Sequence, residues 1–221
     1  SDSPAVWRFL PISDHLDLPE VQAATRVGRY PAEIQAGGRR AGGKLLGIDR
    51  PDFPAVAFFR EDFASEPFIA LINRLASDPA ALLVDQDTWE RFHLQVGDTV
   101  QVSVNLNGRQ TIPFKVAGVT RYFPTLYPEE GPFFIANLEY IFESLGGLQP
   151  YEVWLRTAPQ ADTQAIILGI NQLGAAVVTH QDARATLETA FGAPSRQGML
   201  GLLSVGFLAA ALLTALGFLL Y

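Results

Sequence analysis

The last stretch of the chain, Gly198–Tyr221, most constrains how the protein can fold, because its twenty-four residues include no charged side chain. A helix of that length, at about 1.5 Å per residue, would extend about 36 Å, whereas the hydrocarbon core of a membrane is about 30 Å thick. Its few polar groups are the hydroxyls of Ser204, Thr214 and Tyr221, which can bond to the helix's own carbonyl oxygens. The alternative, a buried helix of a soluble domain, is usually shorter and keeps a polar edge. We therefore predict a transmembrane helix over residues 198–221.

The two ends of the chain favour a segment of a longer membrane protein. The N-terminal residues, SDSPAVWRFLP, contain no basic region followed by an apolar one, so they are not a signal peptide. The apolar run ends at Tyr221 with no polar residue after it. On this interpretation, an upstream segment would direct residues 1–197 to the far side of the membrane.

Composition argues against nucleic-acid binding and excludes cysteine chemistry. Hydrophobic residues make up 48% of the chain, so residues 1–197 can form a packed core. The net charge is −7, from 16 basic and 23 acidic residues, which argues against nucleic acid as the partner because a phosphate-binding face needs excess Lys and Arg. The sequence contains no cysteine, which excludes disulfides and thiolate chemistry.

Residues 1–79 are predicted to form the first part of an α/β body. Val21–Gln35 indicates one or two strands, interrupted near Pro31, and a turn over 37–44 leads to a return strand at Lys44–Asp49. A helix is predicted to begin at Ser65 as its N-cap and to end before Asp78, which precedes a proline.

The turn over 37–44 partly matches a phosphate-binding loop through Gly38, Gly43 and Lys44. Leu45 stands where that motif requires Ser or Thr, and the prolines that follow are incompatible with the required helix. We therefore predict no nucleotide site. The alternatives for the basic residues are a solvated hairpin tip, which the sequence favours, or a contact with lipid headgroups; these residues are Arg39, Arg40 and Lys44.

Residues 80–147 are predicted to form a compact β-rich, barrel-like module inserted into that body. Thr99–Val104 alternates polar and apolar residues, and Asn107-Gly108 is a strong hairpin signal. Asn137 is predicted to cap a helix that runs to Leu145, with Gly146 at the C′ position after it. The other predicted elements are strands at 81–85, 110–114, 115–121 and 133–136 and a helix at 87–92.

Residues 148–181 are predicted to return to the α/β body, with strands at 151–157 and 176–179 and a helix at 162–173. A stalk helix is predicted over 182–197, leading to the transmembrane helix. Gly192 and Pro194 interrupt the stalk and are either a hinge or a simple helix break at the membrane surface.

No catalytic or metal-binding constellation is found in the sequence. The histidines, His15, His93 and His180, are far apart and match no metal spacing. Four carboxylates, those of Asp49, Asp52, Glu61 and Asp62, lie close together in sequence but in no known cation-binding loop. We therefore expect no enzymatic activity and no cofactor.

Three segments carry a resemblance to a known family. They are LLGIDRPDFPAVAFFREDFA (45–64), ALLVDQDTWERFHLQVGDTVQV (81–102) and FKVAGVTRYFPTL (114–126). Their order, with the Val-Gly-Asp turn at Leu94–Asp98 and a membrane helix at the end, resembles the periplasmic core domain of FtsX-like, MacB-type ABC transporter permeases. The resemblance implies an extracytoplasmic α+β domain on the periplasmic or cell-surface side of the cell membrane.

The resemblance also implies partners and a mode of action. The partners would be a cytoplasmic ABC ATPase, a second permease copy or paralogue, membrane lipid and an extracytoplasmic substrate or adaptor. ATP-driven motion would pass through the membrane helices to this domain, for export, extraction or signalling. The alternative function is a membrane-anchored binding or adaptor module with no transport role.

Two groups of residues are predicted to matter for that function. The first is the hinge at Gly192 and Pro194. The second is an aromatic group that either docks a partner or packs over the end of the barrel-like module, and its members are Tyr122, Phe123, Tyr127, Phe133 and Phe134.

Overall fold

The computed structural model describes residues 10–106, 108–174 and 179–183. Seven strands occur in these ranges: β1 (Val21–Ala36), β2 (Arg39–Ile48), β3 (Ala81–Asp85), β4 (Thr99–Asn105), β5 (Arg109–Thr120), β6 (Phe133–Asn137) and β7 (Glu152–Thr157). The helices are α1 (Ile12–Leu16), α2 (Phe53–Val56), α3 (Phe68–Ser77), α4 (Gln86–Phe92), α5 (Leu138–Ser144) and α6 (Thr163–Gln172). Short 3₁₀ turns lie at Glu61–Phe63 and Pro128–Glu130.

Six of the strands form a closed ring. The neighbours run β1, β2, β6, β3, β5, β4 and back to β1. The pairs β2–β6 and β3–β5 are parallel, and the other pairs of the ring are antiparallel. A barrel is therefore present, but it does not have the boundary predicted at residue 80, because the hairpin of residues 21–48 supplies two of its six strands.

Strand β1 is long enough to belong to both the ring and a side extension. Its residues Ala32–Gln35 pair with β4, while residues from Val21 to Val27 pair with β7. Val27 lies opposite Ile48 on one edge of β1 and opposite Glu152 on the other. Strands β4 and β7 therefore occupy successive lengths of one edge of β1, and β7 extends the sheet beyond the ring.

Apolar side chains from alternating positions of the strands fill the inside of the ring. Alternate residues in the second half of β1 and in β4, such as Ile34 and Val102, are buried in one hydrophobic cluster, which also contains Phe114 and Phe134. Leu94, after α4, and Ile141, on α5, belong to the same cluster. The two short helices therefore contribute apolar side chains to the interior of the barrel.

A second cluster covers the outer face of β2, β6 and β3. It contains the opposite faces of these strands, for example Leu46, Leu83 and Ile135, together with Phe53 of α2 and Leu75 of α3. β3, β6 and the last four residues of β2 are therefore buried on both faces, which explains why β3 and β6 are nearly continuous apolar runs.

Several local predictions are corrected. Strand β1 continues through Pro31, which lies opposite Lys44, and the turn that follows consists of Gly37 and Gly38 with φ of 54° and 76°. Strand β5 is one strand rather than two. Helix α3 begins at Phe68 after Pro67, without a side-chain cap from Ser65.

Asn137 has a different role from the predicted cap. Its side-chain amide donates to the carbonyl oxygens of Leu75, Asp78 and Pro79, at 3.0, 3.1 and 2.7 Å. It therefore fixes the C-terminal end of α3 against β6. The predicted glycine after α5 is confirmed, since Gly146 has a φ of 80°.

The chain divides into two compact units, Ser1–Ala175 and Ala176–Tyr221. Most of the second unit lies outside the described residues. The predicted strand at 176–179 lies largely outside them, as do nearly all of the stalk, the hinge residues Gly192 and Pro194, and the transmembrane helix over 198–221. Within the described part of the chain, no helix is long and apolar enough to cross a membrane.

Candidate functional site

The described residues of the first unit, Ser1–Ala175, are here called the barrel unit. Its first elements, α1 and β1, meet its last elements, β7 and α6, at one end, here called the terminal end. Val21 of β1 lies opposite Thr157 of β7, and the backbone N–H of Asp162 donates to the Glu20 carboxylate at 2.9 Å. Leu18, after α1, lies so close to Gly169 of α6 that a Cβ on the glycine would be 2.6 Å from its Cδ2. The chain therefore enters and leaves this unit at the same place.

The opposite, distal end is formed by the turn between β1 and β2. At about 3.3 Å per residue, the fifteen steps from Val21 to Ala36 correspond to about 50 Å of strand. Arg39 and Arg40 are exposed at this tip, and Arg39 donates to the backbone carbonyl of Arg91. Lys44 pairs with Glu130 at 2.5 Å. Gly43 and Lys44 lie within β2, so the tip has no loop that could enclose a phosphate group.

Helix α4 is fixed at the distal end by a buried carboxylate. Asp85 is 1% exposed, and its two oxygens accept from the backbone N–H of Thr88, at 2.9 Å, and of Phe133, at 3.2 Å. The first bond caps α4 and the second joins it to β6. Beside α4 lies an open cleft of about 400 Å³, lined by residues that include Asp62, Ser65, Gln86, Trp89, Glu90 and Arg121.

The predicted docking loop folds inward. Residues 121–132, here called the strap, leave β5 and return to β6, and Phe123 is fully buried. Phe133 and Phe134 are also buried, at 1% and 0% exposed, so none of these three rings lies at the surface of this structure. In this structure the three rings contribute to the two hydrophobic clusters rather than to an exposed docking surface. Tyr122 is half-buried and Tyr127 is 44% exposed, and their role in docking stays a prediction.

The ring of Phe123 belongs to an aromatic cluster, defined here as Phe53, Phe59, Phe68 and Phe123. Its closest pair is Phe59 and Phe68, which stack with centroids 4.5 Å apart, and Phe123 stacks on Phe53 at 5.6 Å. Trp154 of β7 lies 5.5 Å from Phe53. The cluster therefore joins the strap, two helices and β7, none of which are neighbours in sequence.

Arg29 connects the strap to β7. Its Nη2 donates to the Thr125 hydroxyl at 2.8 Å, and its Nε donates to the Glu152 carboxylate at 3.1 Å. The other oxygen of Glu152 accepts from the indole N–H of Trp154 at 2.8 Å. These bonds, called here the Arg29 link, run from the strap across β1 to β7.

A second charged group lies near the start of β1. Arg26 donates two hydrogen bonds to Asp49, at 2.6 and 3.0 Å, and one to Glu139 at 2.5 Å, and its guanidinium lies 5.9 Å from the Tyr151 ring centre. Burial raises the pKa of Asp49, an effect that Arg26 opposes. This group joins the end of β2 to α5 and does not have the open geometry of a catalytic or ligand site.

Metal binding is not supported in the described part of the chain. No group of three or more His, Asp or Glu side chains there could hold an ion. Asp49 and Asp62, two of the four clustered carboxylates, instead pair with Arg26 and Arg60. No sequence pattern indicated the Arg29 link, because Arg29 is 96 residues from Thr125 and 123 from Glu152.

The fold is similar to that of a solved domain, and the sequence matches a protein-family model. The family model of the MacB-like periplasmic core domain matches residues 3–173. The periplasmic region of MacB from Actinobacillus actinomycetemcomitans has 13% sequence identity and a TM-score of 0.52, with 85% of each chain covered. The extracellular domain of the noncanonic ABC-type transporter YknZ from Gram-positive bacteria has 14% identity and a TM-score of 0.49, with 74% of this chain and 82% of that chain covered. No curated protein sequence matches the chain. Because the family model covers most of its length, the chain belongs to the MacB-like periplasmic core domain family, the extracytoplasmic domain of FtsX-like ABC transporter permeases.

Proposed function

We propose that the barrel unit works outside the cytoplasm as the moving domain of a permease subunit, driven by a cytoplasmic ATPase. Membership of the MacB-like family supports this proposal. One structural observation carries the lever-like motion, namely that the first and last elements meet at the terminal end. A body held at one end moves as a lever when its supports move.

The closed ring makes such a lever stiff. Each of its six strands is hydrogen-bonded on both edges to other strands of the ring, and its interior is filled by buried side chains. Displacement applied at Val21 and Thr157 would therefore reach the turn at Gly37 and Gly38, about 50 Å of strand away. The surface that acts on a substrate or adaptor is, in this proposal, the distal end.

Support and energy would come from outside the described residues. We propose that membrane helices, including the one predicted over 198–221, transmit motion from an ATPase partner to a dimer of permease subunits. Gly192 and Pro194 would be the hinge of the stalk. The transported substrate, or the signal that replaces transport, would be determined by the side chains of the distal end.

Residues 1–221 contain no cysteine, so site-specific spin labelling tests the proposal in a transporter from which any cysteine outside this segment has been removed. Arg40→Cys places a label on the exposed distal tip, and Gln160→Cys places a matched label on an exposed residue near the terminal end. We expect the distance between equivalent labels in the two subunits of the assembled transporter to change between the ATP-free and ATP-bound states. The change should be larger at residue 40 because that position is farther from the supports.

Identical distances in both nucleotide states at both positions would contradict the lever. That result would favour the membrane-anchored binding module without transport. A change of equal size at both positions would indicate that the domain translates without rotating.

A further inference from the structure

The strap contains a backbone conformation that its sequence does not favour. Three residues other than glycine have positive φ in the described ranges, Glu20, His93 and Thr125, and only Thr125 is β-branched. A positive φ, here 65°, is a genuine outlier for a β-branched side chain. Phe123 and Leu126 exchange backbone hydrogen bonds of 3.1 and 2.8 Å, and Pro124 precedes Thr125, as in a type II turn. Glycine or asparagine is usual at the position of Thr125.

Contacts on both sides of Thr125 hold this turn in place. Phe123 and Leu126 are 0% and 1% exposed and pack into the second hydrophobic cluster, on the outer face of β2, β6 and β3. The Thr125 side chain itself is exposed, and its hydroxyl accepts the hydrogen bond from Arg29. Glycine would relieve the strain but has no hydroxyl to accept this bond. Threonine therefore keeps the hydrogen bond with Arg29 at the cost of a strained backbone φ.

The same guanidinium is held from β7. Glu152 accepts from Arg29 with one oxygen and from Trp154 with the other. Trp154 lies against Phe53, which stacks on Phe123 of the strap. The strap and β7 are therefore joined twice, by the polar bonds at the surface and by the rings beneath them.

We propose that the strap is a cover over the aromatic cluster whose closure is controlled by β7 through the Arg29 link. A displacement of β7 that moves Glu152 withdraws Arg29 from Thr125, and the strained turn then opens and exposes the rings of the cluster. The coupling is a property of the barrel unit itself. In the proposed permease it would let motion applied at β7 expose an apolar surface.

Hydrogen exchange in the full chain, measured by mass spectrometry, tests the coupling. Thr125→Val keeps the β-branched shape and removes only the acceptor, and Glu152→Ala removes the contacts on β7. We expect each substitution to raise exchange about three- to tenfold both in the strap, at the amides of Phe123 and Leu126, and in β7. The proposal is overturned if Thr125→Val changes the strap alone or if Glu152→Ala changes β7 alone.

Two control variants separate this coupling from general loosening. Thr111→Val removes an exposed hydroxyl that pairs with Ser103 on the other side of the barrel, and Arg156→Ala truncates another exposed side chain of β7. Both should leave exchange in the strap at the wild-type rate. A rise in the strap with Arg156→Ala as large as that with Glu152→Ala would overturn the role of the Arg29 link.

The strain has its own test in Thr125→Gly. This variant also lacks the acceptor, but glycine adopts a positive φ without strain. We expect its strap to exchange more slowly than that of Thr125→Val. Equal or faster exchange in Thr125→Gly would show that the turn stores no strain that favours opening.

Discussion

Gly43 is the position at which one added carbon should do the most damage to the barrel. A Cβ built on Gly43 lies 2.2 Å from the carbonyl oxygen of Pro132 and 2.8 Å from its carbonyl carbon. Non-bonded heavy atoms pack at about 3.5 Å or more, so β2 and the end of the strap would have to separate by about 1 Å. The hydrogen bond from the Lys44 N–H to the Pro132 carbonyl, now 2.9 Å, would then be lost.

The expected cost of Gly43→Ala follows from these two effects. Overpacking against rigid backbone costs about 1–3 kcal/mol, and the lost hydrogen bond about 1 kcal/mol, which gives about 2–4 kcal/mol of unfolding free energy. For a domain of this size, the corresponding fall in Tm is about 5–15 °C. Thermal unfolding followed by near-UV circular dichroism measures it directly.

The neighbouring residue provides the matched control. Gly42 lies on the same strand, its φ is not positive, and nothing lies within 4 Å of a Cβ built there. Gly42→Ala should therefore leave Tm unchanged or raise it slightly, because alanine reduces the freedom of the unfolded chain. If the two variants melt within about 1 °C of each other, the close approach of β2 to Pro132 is not what determines the cost.

Two further predictions concern a buried amide and a buried phenol. Asn137→Ala leaves three carbonyl oxygens at the end of α3 without their donor and should lower the free energy of unfolding by about 2–4 kcal/mol in urea titrations. The control Gln101→Ala, at an exposed position of β4, should change this free energy little. Equal effects of the two substitutions would contradict the role assigned to Asn137. Burial, with the charge of Glu152, raises the pKa of Tyr30, whose hydroxyl donates to the Pro150 carbonyl at 3.0 Å. A phenol with a raised folded-state pKa contributes stability that is fully present below its unfolded pKa of about 10 and is lost as the pH rises above it. The free energy of unfolding should therefore decline above pH of about 10, and Tyr30→Phe should reduce that decline; an unchanged slope would refute it.

Local sequence patterns predicted where the strands lie in the chain better than they predicted which strands pair with each other. The alternation in Thr99–Val104 correctly placed Val100, Val102 and Val104 on the buried face, because successive side chains of a strand point to opposite sides. The parallel pairing of β2 with β6 brings Lys44 opposite Phe133, and no local signal specifies that match. The predicted boundary at residue 80 failed for this reason.

The aromatic loop shows a second limit of the sequence. A run containing Tyr122, Phe123 and Tyr127 with several prolines is compatible with an exposed patch or with a covering segment. The tertiary structure decides for Phe123, because α2 and α3 present Phe53 and Phe68 to it. The Arg29 link was equally beyond prediction, since it depends on where β7 pairs with β1.

Features that depend on neighbouring residues or on order along the chain could be predicted before the fold was known. These are the uncharged run over 198–221, the alternating strands, the glycine turns and the series of segments that resembles the MacB-like family. The folded structure was needed to show that residues 21–48 close the barrel, which rings are buried and which charges pair. The physical reason is that periodicity specifies the buried face of a strand, whereas the backbone hydrogen bonds that join strands are the same for every sequence.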